Sequence, residues 1–253
     1  MKLTFLGTGT SMGVPVAGGF KANSLTNDPR NIRTRCSAWI QTDQTSLLID
    51  AGPEFRIQSI KAKIKRIDGL LLTHQHMDHV SGLDDLRAYN FIQEKSIPVY
   101  TSESCINSVK KRFDYLFGAN KYLGSASLDL ENIDKKITFR DLTITPLPCN
   151  HGNLDILGFR INDVSYLTDV KHIPEKTKSL IKGSKVIVLS ALRWEPVHPT
   201  HLTIPEAVKL IEELKVPKGY LIHMNSYVDH QQTNKELPEN IRLAFDQQVI
   251  EID

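Results

Sequence analysis

Thr73-His74-Gln75-His76-Met77-Asp78-His79 puts three imidazoles and a carboxylate into the six positions from His74 to His79, directly after the apolar run Gly69-Leu70-Leu71-Leu72. A short apolar run of that kind reads as a buried strand, and strand ends in α/β folds are where ligands bind. Four ligand-type side chains fanning from one tight turn cannot all face solvent, nor all be buried without partners. Imidazole nitrogens and carboxylate oxygens are the donors that zinc, manganese and iron accept. Folding alone does not require such a cluster; a metal does. The bland alternative is a polar loop that happens to be rich in histidine.

Complements further along the chain weigh against that alternative. His151 follows the strand-like Leu142-Thr143-Ile144-Thr145-Pro146-Leu147. Asp169 ends Val164-Ser165-Tyr166-Leu167-Thr168, and His223 ends Tyr220-Leu221-Ile222. One such residue alone reads as a capped loop position. Agreement among several strand ends points to convergence at one sheet edge.

The pattern His-x-His-x-Asp-His, then a later His, Asp and His, resembles the metallo-β-lactamase-fold hydrolases. The resemblance implies a four-layer αββα sandwich, an α/β (α+β) fold. It implies that His74, His76 and His151 hold one divalent ion, that Asp78, His79 and His223 hold a second, and that Asp169 bridges them.

The rest of the chain is consistent with this. A length of 253 residues suits one domain spanning 1–253, with a large core. Lys and Arg total 31 against 29 Asp and Glu, a net charge of +2, which gives no broad electrostatic footprint for nucleic acid. Cys36, Cys105 and Cys149 are widely spaced and odd in number, as expected of free thiols in a reducing compartment. The start Met1-Lys2-Leu3-Thr4-Phe5-Leu6-Gly7 reads as a first strand, too short and polar for a signal peptide, and no apolar run is long enough to span a bilayer. The expectation is a soluble, cytoplasmic protein.

Strands and helices alternate. Lys2 to Leu6 is expected as a strand, Ser37–Thr42 and Ser46–Asp50 as a hairpin, and Glu54–Lys61 as a helix. Ser102 is expected to cap a helix reaching Phe113, and Gly118–Asp134 reads as loop. Strands cluster from Ile137 to Thr168, a helix begins at Pro174, and Lys185–Leu189 is a strand. Thr203-Ile204-Pro205-Glu206 opens a helix with Pro in its first turn. Gly7-x-Gly9 is followed next by Gly13, which breaks the dinucleotide spacing.

A finer resemblance is to the phosphoribosyl 1,2-cyclic phosphate phosphodiesterase-like branch. Four passages carry it: Gly7 to Pro15, Asp28 to Arg33, Arg193 to Thr203, and Asp229 to Asp246. That branch commonly holds a structural zinc through a Cys-x-Cys-x-x-Cys insert and a later histidine. Here Gly19, Lys21, Ser24 and Ser226 stand in those positions, so no additional structural zinc is expected.

The chemistry implied is phosphodiester hydrolysis. Two divalent ions, with zinc, manganese and iron all able to accept these ligands, offset the substrate's charge and acidify a bound water. A hydroxide bridging them would attack phosphorus, with Asp78 helping to orient it. His201, at the start of the Thr203 helix, is the expected general acid. Arg193 and His198 are candidate substrate contacts, set against a solvated Arg and a helix-flanking loop histidine. Lys171 and His172 read as exposed loop residues, and His230 as structural. The expected substrate is a small cyclic or diester phosphate such as a ribose cyclic phosphate. Alternatives are tRNA 3′-end processing, which uses the same ligands but with a basic arm not seen here, thioester or lactone hydrolysis, and a non-catalytic metal-binding domain. A membrane partner is not expected, the charge argues against nucleic acid, and a homodimer is left open because relatives are often dimers.

Overall fold

The computed structural model describes residues 1–19, 27–119 and 121–252. Two seven-stranded mixed sheets lie face to face. In the first, β14 (Val249–Glu251), β1 (Lys2–Gly7), β2 (Ser37–Gln41), β3 (Ser46–Ile49), β4 (Gly69–Leu71), β5 (Ile97–Thr101) and β6 (Leu128–Asn132) follow one another. In the second, the order is β13 (Ile241–Leu243), β12 (Lys218–Ile222), β11 (Val186–Ser190), β10 (Val164–Leu167), β9 (Leu154–Ile161), β8 (Leu142–His151) and β7 (Ile137–Phe139).

Alternation along the strands explains the layering. Side chains on a strand point to opposite faces in turn, so a strand covered on both sides is apolar throughout. Leu47 and Ile49 of β3, Ala38 and Ile40 of β2, and Val186 and Val188 of β11 all enter the core between the sheets. Leu48, Trp39 and Leu70 point the other way, onto Phe55, Tyr89, Cys105 and Val109. Those residues belong to α1 (Phe55–Lys61), α3 (Arg87–Gln93) and α4 (Glu103–Arg112), which with α2 (Met77–Val80) and α5 (Asp114–Phe117) lie on the first-sheet side. On the far face of the second sheet, Ile187, Leu189 and Leu221 meet Ile181 of α6 (Glu175–Ile181) and Ile204, Ala207, Ile211 and Leu214 of α7 (Ile204–Leu214). α8 (His230–Glu236) precedes β13. Helix, sheet, sheet, helix is the αββα sandwich the sequence led us to expect. Each fully buried leucine or isoleucine in these layers contributes about 1.5–3 kcal/mol.

Most expected elements are found within a residue or two. Ser102 caps α4 by accepting the Cys105 N–H, and Thr203 and Glu206 form a reciprocal capping box at α7. One expectation is corrected: Gly118–Asp134 is not all loop, because Leu128–Asn132 forms β6, parallel to β5 from Ile97↔Leu128 to Thr101↔Asn132. Its sequence, Leu-Asp-Leu-Glu-Asn, is too polar to read as a central strand. An edge strand needs only one neighbour and tolerates such charge. The strand before His151 is also longer than its apolar stretch, since β8 runs on to His151 itself, paired with Leu154 of β9.

In the first sheet β3, β4, β5 and β6 are parallel, and in the second β10 to β13 are parallel. Their C-terminal ends deliver Asp50, Thr73-His74, Asp169 and His223 to one edge of the sandwich. No helix among the described residues is long and apolar enough to cross a membrane.

Candidate metal centre

The ligand-type residues leave their strands by sharp turns. Asp50, Asp169 and His223 all adopt left-handed backbone conformations, with φ of 57°, 56° and 64°. Non-glycine residues in that region carry a conformational cost and persist where surrounding structure holds them. Gly52 is needed for a different reason, because a Cβ there would lie 2.2 Å from the Asp78 carbonyl oxygen. The turn after β3 is thereby pressed against the metal motif.

The geometry brings together most of the expected set. His79 Nε2 lies 3.0 Å from Asp169 Oδ2 and 3.2 Å from Asp78 Oδ2. Asp169 Oδ1 is 3.0 Å from His223 Nε2 and 3.6 Å from His201 Nδ1. Asp169 thus turns one oxygen to His79 and the other to His223 and His201. The rings of His74 and His76 have centroids 4.6 Å apart, and His76 lies 5.2 Å from His151. His201 stands between His151 at 4.6 Å and His223 at 4.8 Å. Among the described residues, three donor groups have their ligand atoms within 4.8 Å of one another: His74 with His79 and Asp169, Asp78 with His79 and His223, and His151 with Asp169 and His201. His76 is in none of these tight groups and is partly exposed, reaching the cluster only through its ring contacts.

Asp50 is the residue the sequence reading passed over. Its buried carboxylate accepts from His79 Nδ1 at 2.7 Å, from the Thr73 N–H at 2.8 Å and from the Thr73 hydroxyl at 2.8 Å. The Thr73 oxygen, having given its proton to Asp50, accepts from His74 Nδ1 at 3.0 Å. One carboxylate therefore keeps a proton on Nδ1 of both imidazoles and turns each Nε2 inward toward the cluster. His151 is held likewise, with Nδ1 donating to the Thr200 carbonyl at 2.8 Å. A signal existed, since Asp50 ends the apolar run of β3 just as Asp169 and His223 end theirs.

Burial and the charges around them set the protonation of the buried donors. Desolvation pushes His74 well below the usual histidine range, helped by the neighbouring His79. Desolvation pushes His79 down too, but the Asp50 and Asp169 carboxylates outweigh it and hold His79 well above that range. For Asp169 and Asp78, burial raises the pKa while the histidines around them lower it, and the lowering wins. Nε2 of His74 is buried with no hydrogen-bond partner, while Nε2 of His79 and of His223 faces carboxylate oxygens of the cluster. Orphaned buried nitrogens of this kind are costly in a folded protein. Imidazole nitrogens and ionised carboxylates facing inward on one another are a donor set that fits a divalent metal.

Loops around the centre are anchored close to it. The Leu202 N–H donates to the Val170 carbonyl and the Ile204 N–H to the Arg193 carbonyl, which sets His201 beside Asp169. His198 is turned to its own loop, its Nδ1 accepting from Thr200, with its ring 4.9 Å from His201. Arg193 donates to the Pro196 carbonyl at 3.0 Å. Lys171 departs from the expected exposed position and pairs with Glu206 at 2.8 Å, whereas His172 is exposed against Asn150. His230 is buried, its N–H held by Asn31. All three cysteines are buried free thiols. Of the positions corresponding to a structural-zinc insert, Gly19 and Ser226 are in the structure, and Lys21 and Ser24 lie outside the described residues.

Comparison with known proteins bears on this arrangement. The Beta-lactamase superfamily domain matches residues 45–224. A crystal structure described as a new diphosphatase from the PhnP family superposes with a TM-score of 0.92 at 35% identity, covering 100% of this chain and 98% of that one. An octanoyltransferase of Porphyromonas gingivalis is 37% identical over 250 residues, which is 97% of this chain and 50% of that protein. The exodeoxyribonuclease YycJ of Bacillus anthracis is 25% identical over 163 residues, covering 60% of this chain and 57% of that protein. The chain thus spans about half the length of these two curated relatives, and their names describe proteins of which a large part lies outside the match.

Proposed function

This chain belongs to the beta-lactamase superfamily and, within it, to the PhnP family, and on that premise we propose that it is a metal-dependent phosphodiesterase of small cyclic or diester phosphates. The observation that carries the reading is the meeting, at one sandwich edge, of His74, His76, Asp78 and His79 from the first sheet's side with His151, Asp169 and His223 from the second. In this reading the two sets hold two divalent ions, with Asp169 between them. Such ions supply charge neutralisation for the phosphodiester and acidify water.

The chain's own residues do the rest. Asp50 and the Thr200 carbonyl keep the imidazoles in one tautomer and orientation. Asp78, ionised under the influence of His79, accepts a hydrogen bond from the attacking water and orients it. The oxygen of that water bonds to phosphorus as one of its protons passes to Asp78, one ester P–O bond breaks, and the departing alkoxide takes a proton from His201; the Asp78 proton returns to His201 through solvent. The products are a phosphate monoester and an alcohol. Burial, then His223, press the His201 pKa down to about 3. An anionic phosphodiester against it raises that pKa and lets it carry the proton it delivers. Arg193 and His198 border this position and are the candidate substrate contacts.

A second reading, thioester hydrolysis, draws on the octanoyltransferase relative. Water activated in the same place can attack a carbonyl carbon.

Phosphorus NMR of the zinc- or manganese-loaded protein with a ribose cyclic phosphate separates these readings. We expect the diester signal to convert to a monoester, and chelator to abolish conversion. His201→Ala should slow turnover by about 10²- to 10⁴-fold while metal content is kept. No conversion with two ions bound per chain, and release of free thiol from an acyl thioester instead, would transfer the assignment to the second reading.

A further inference from the structure

A groove of about 800 Å³ opens on the outer face of the second sheet, between β8, β9 and the end of α6. It lies far along β8 from the candidate metal centre. Thr145 in its lining is six residues from His151 on one strand, about 20 Å at the rise of an extended chain. Alternation along the two strands explains its polarity. Leu142, Ile144, Phe159 and Ile161 enter the core between the sheets, so Thr143, Thr145 and Arg160 point outward. Nearer the metal edge the outer face carries Leu147, Cys149 and Ile156, which pack with the helical layer. Where that cover stops, hydroxyls and a guanidinium replace apolar side chains.

Threonines and an arginine at a sheet margin are ordinary on a surface. Here the arginine is fixed and lacks a counter-charge. Its Nε donates to the Asn162 carbonyl at 3.0 Å, and its Nη1 to the Leu180 and Lys182 carbonyls, each at 2.9 Å. These bonds tie β9 to the end of α6 and hold the guanidinium plane. Among the described residues Nη2 takes no bond, and neither do the Thr143 and Thr145 hydroxyls. Thr145 stands directly opposite Arg160 in the β8–β9 ladder. The Thr143 N–H donates to Asn162 Oδ1 at 2.9 Å and its carbonyl accepts the Asn162 N–H at 2.9 Å, which fixes the neighbouring position. Lys135 and Lys136 also line the groove. Neither lysine nor Arg160 is paired with a carboxylate among the described residues. Of the two aspartates in the lining, Asp134 and Asp163, the second is matched by Lys185 at 3.3 Å. A fixed guanidinium with unused N–H groups, free hydroxyls and excess positive charge form the donor set that recognises a phosphate.

We propose that this groove is a second ligand site, which takes the phosphate of a small phosphorylated molecule on Arg160, Thr143 and Thr145, with Lys135 and Lys136 supplying charge. Its volume is that of a small-molecule site and exceeds what a free phosphate fills. The inference is independent of the reaction at the metal centre. The test titrates zinc-loaded, isotope-labelled protein with ribose 5-phosphate and follows amide NMR shifts. The amides of Thr143, Thr145 and Asn162 should move together and saturate. The double substitution Lys135→Ala and Lys136→Ala, at exposed positions, should weaken that binding roughly tenfold. Shifts at Gly152 and Val170, next to His151 and Asp169, should be the same in both proteins. Inorganic phosphate titrated in parallel separates the two sources of the anion. Weaker binding than ribose 5-phosphate at the same amides upholds a phosphorylated small molecule, and equal binding assigns the site to free phosphate instead. Saturable shifts confined to the metal edge would overturn the proposal. So would groove shifts that sodium chloride reproduces at matched ionic strength, or that the double substitution leaves unchanged.

Discussion

Asp50 organises the candidate centre without belonging to its ligands. Through 2.7 Å to His79 and through Thr73 to His74, it decides which nitrogen each imidazole turns inward. Asp50→Asn isolates that role, because the side chain keeps its size but offers an amide N–H toward His79 Nδ1. His79 would then carry its proton on Nε2, the nitrogen turned toward the cluster. We expect metal affinity to fall by about 10- to 100-fold while the far-ultraviolet circular dichroism is unchanged. Metal retained after dialysis against a competing chelator measures this, and unaltered retention would refute the tautomer argument. The ligand candidates were legible in sequence because they are rare residue types at the ends of apolar runs. Asp50 sits at such an end as well, but its importance lies in a contact between β3 and α2, 29 positions apart, which no local pattern encodes. The tight association of His201 with His151 and Asp169 was hidden in the same way.

Among the elements, central strands were readable and peripheral ones were not, for a physical reason. β3, β4 and β11 are covered on both faces and so must be apolar throughout, whereas β6 and α8 lie at margins where polar residues serve as well. α8 is set by tertiary contacts: Asp229 caps it and receives the Asn31 amide, and the His230 ring packs edge-on against Phe245. His230 is buried, and desolvation, then Arg30 and Arg33, lower its pKa to about 4, with Asp28 and Asp229 pulling weakly the other way. An unfolded histidine takes its proton near 6.5, whereas this one resists until about 4. Its contribution is therefore complete above about pH 6.5 and is lost as pH falls through that window. In metal-free protein, His230→Gln should flatten the decline of Tm between those two pH values. Parallel Tm profiles for the two proteins would show that the helix start does not sense acid through this ring.

The whole molecule is two sheets sharing one core, and the candidate ligands are divided between them. His74, His76, Asp78 and His79 follow β4, while His151, Asp169 and His223 come from β8, β10 and β12, so an ion bound by both sets ties one half of the sandwich to the other. We propose that residues 1–253 unfold as one cooperative unit for this reason and because Phe5, Ile49, Phe159 and Tyr166 interdigitate between the sheets. An ion that binds only the folded state stabilises it by about 4 kcal/mol when present at a thousand times its Kd. For a chain of this length each kcal/mol moves Tm by about 2–4 °C. Adding zinc or manganese to chelated protein should therefore raise a single calorimetric transition by about 8–16 °C. His223→Ala should remove most of that rise, because the ion's grip on the second sheet is what couples folding of the two halves. Two separate transitions, with only one responding to metal, would mean instead that the ligands organise a local site on a sandwich whose halves fold independently.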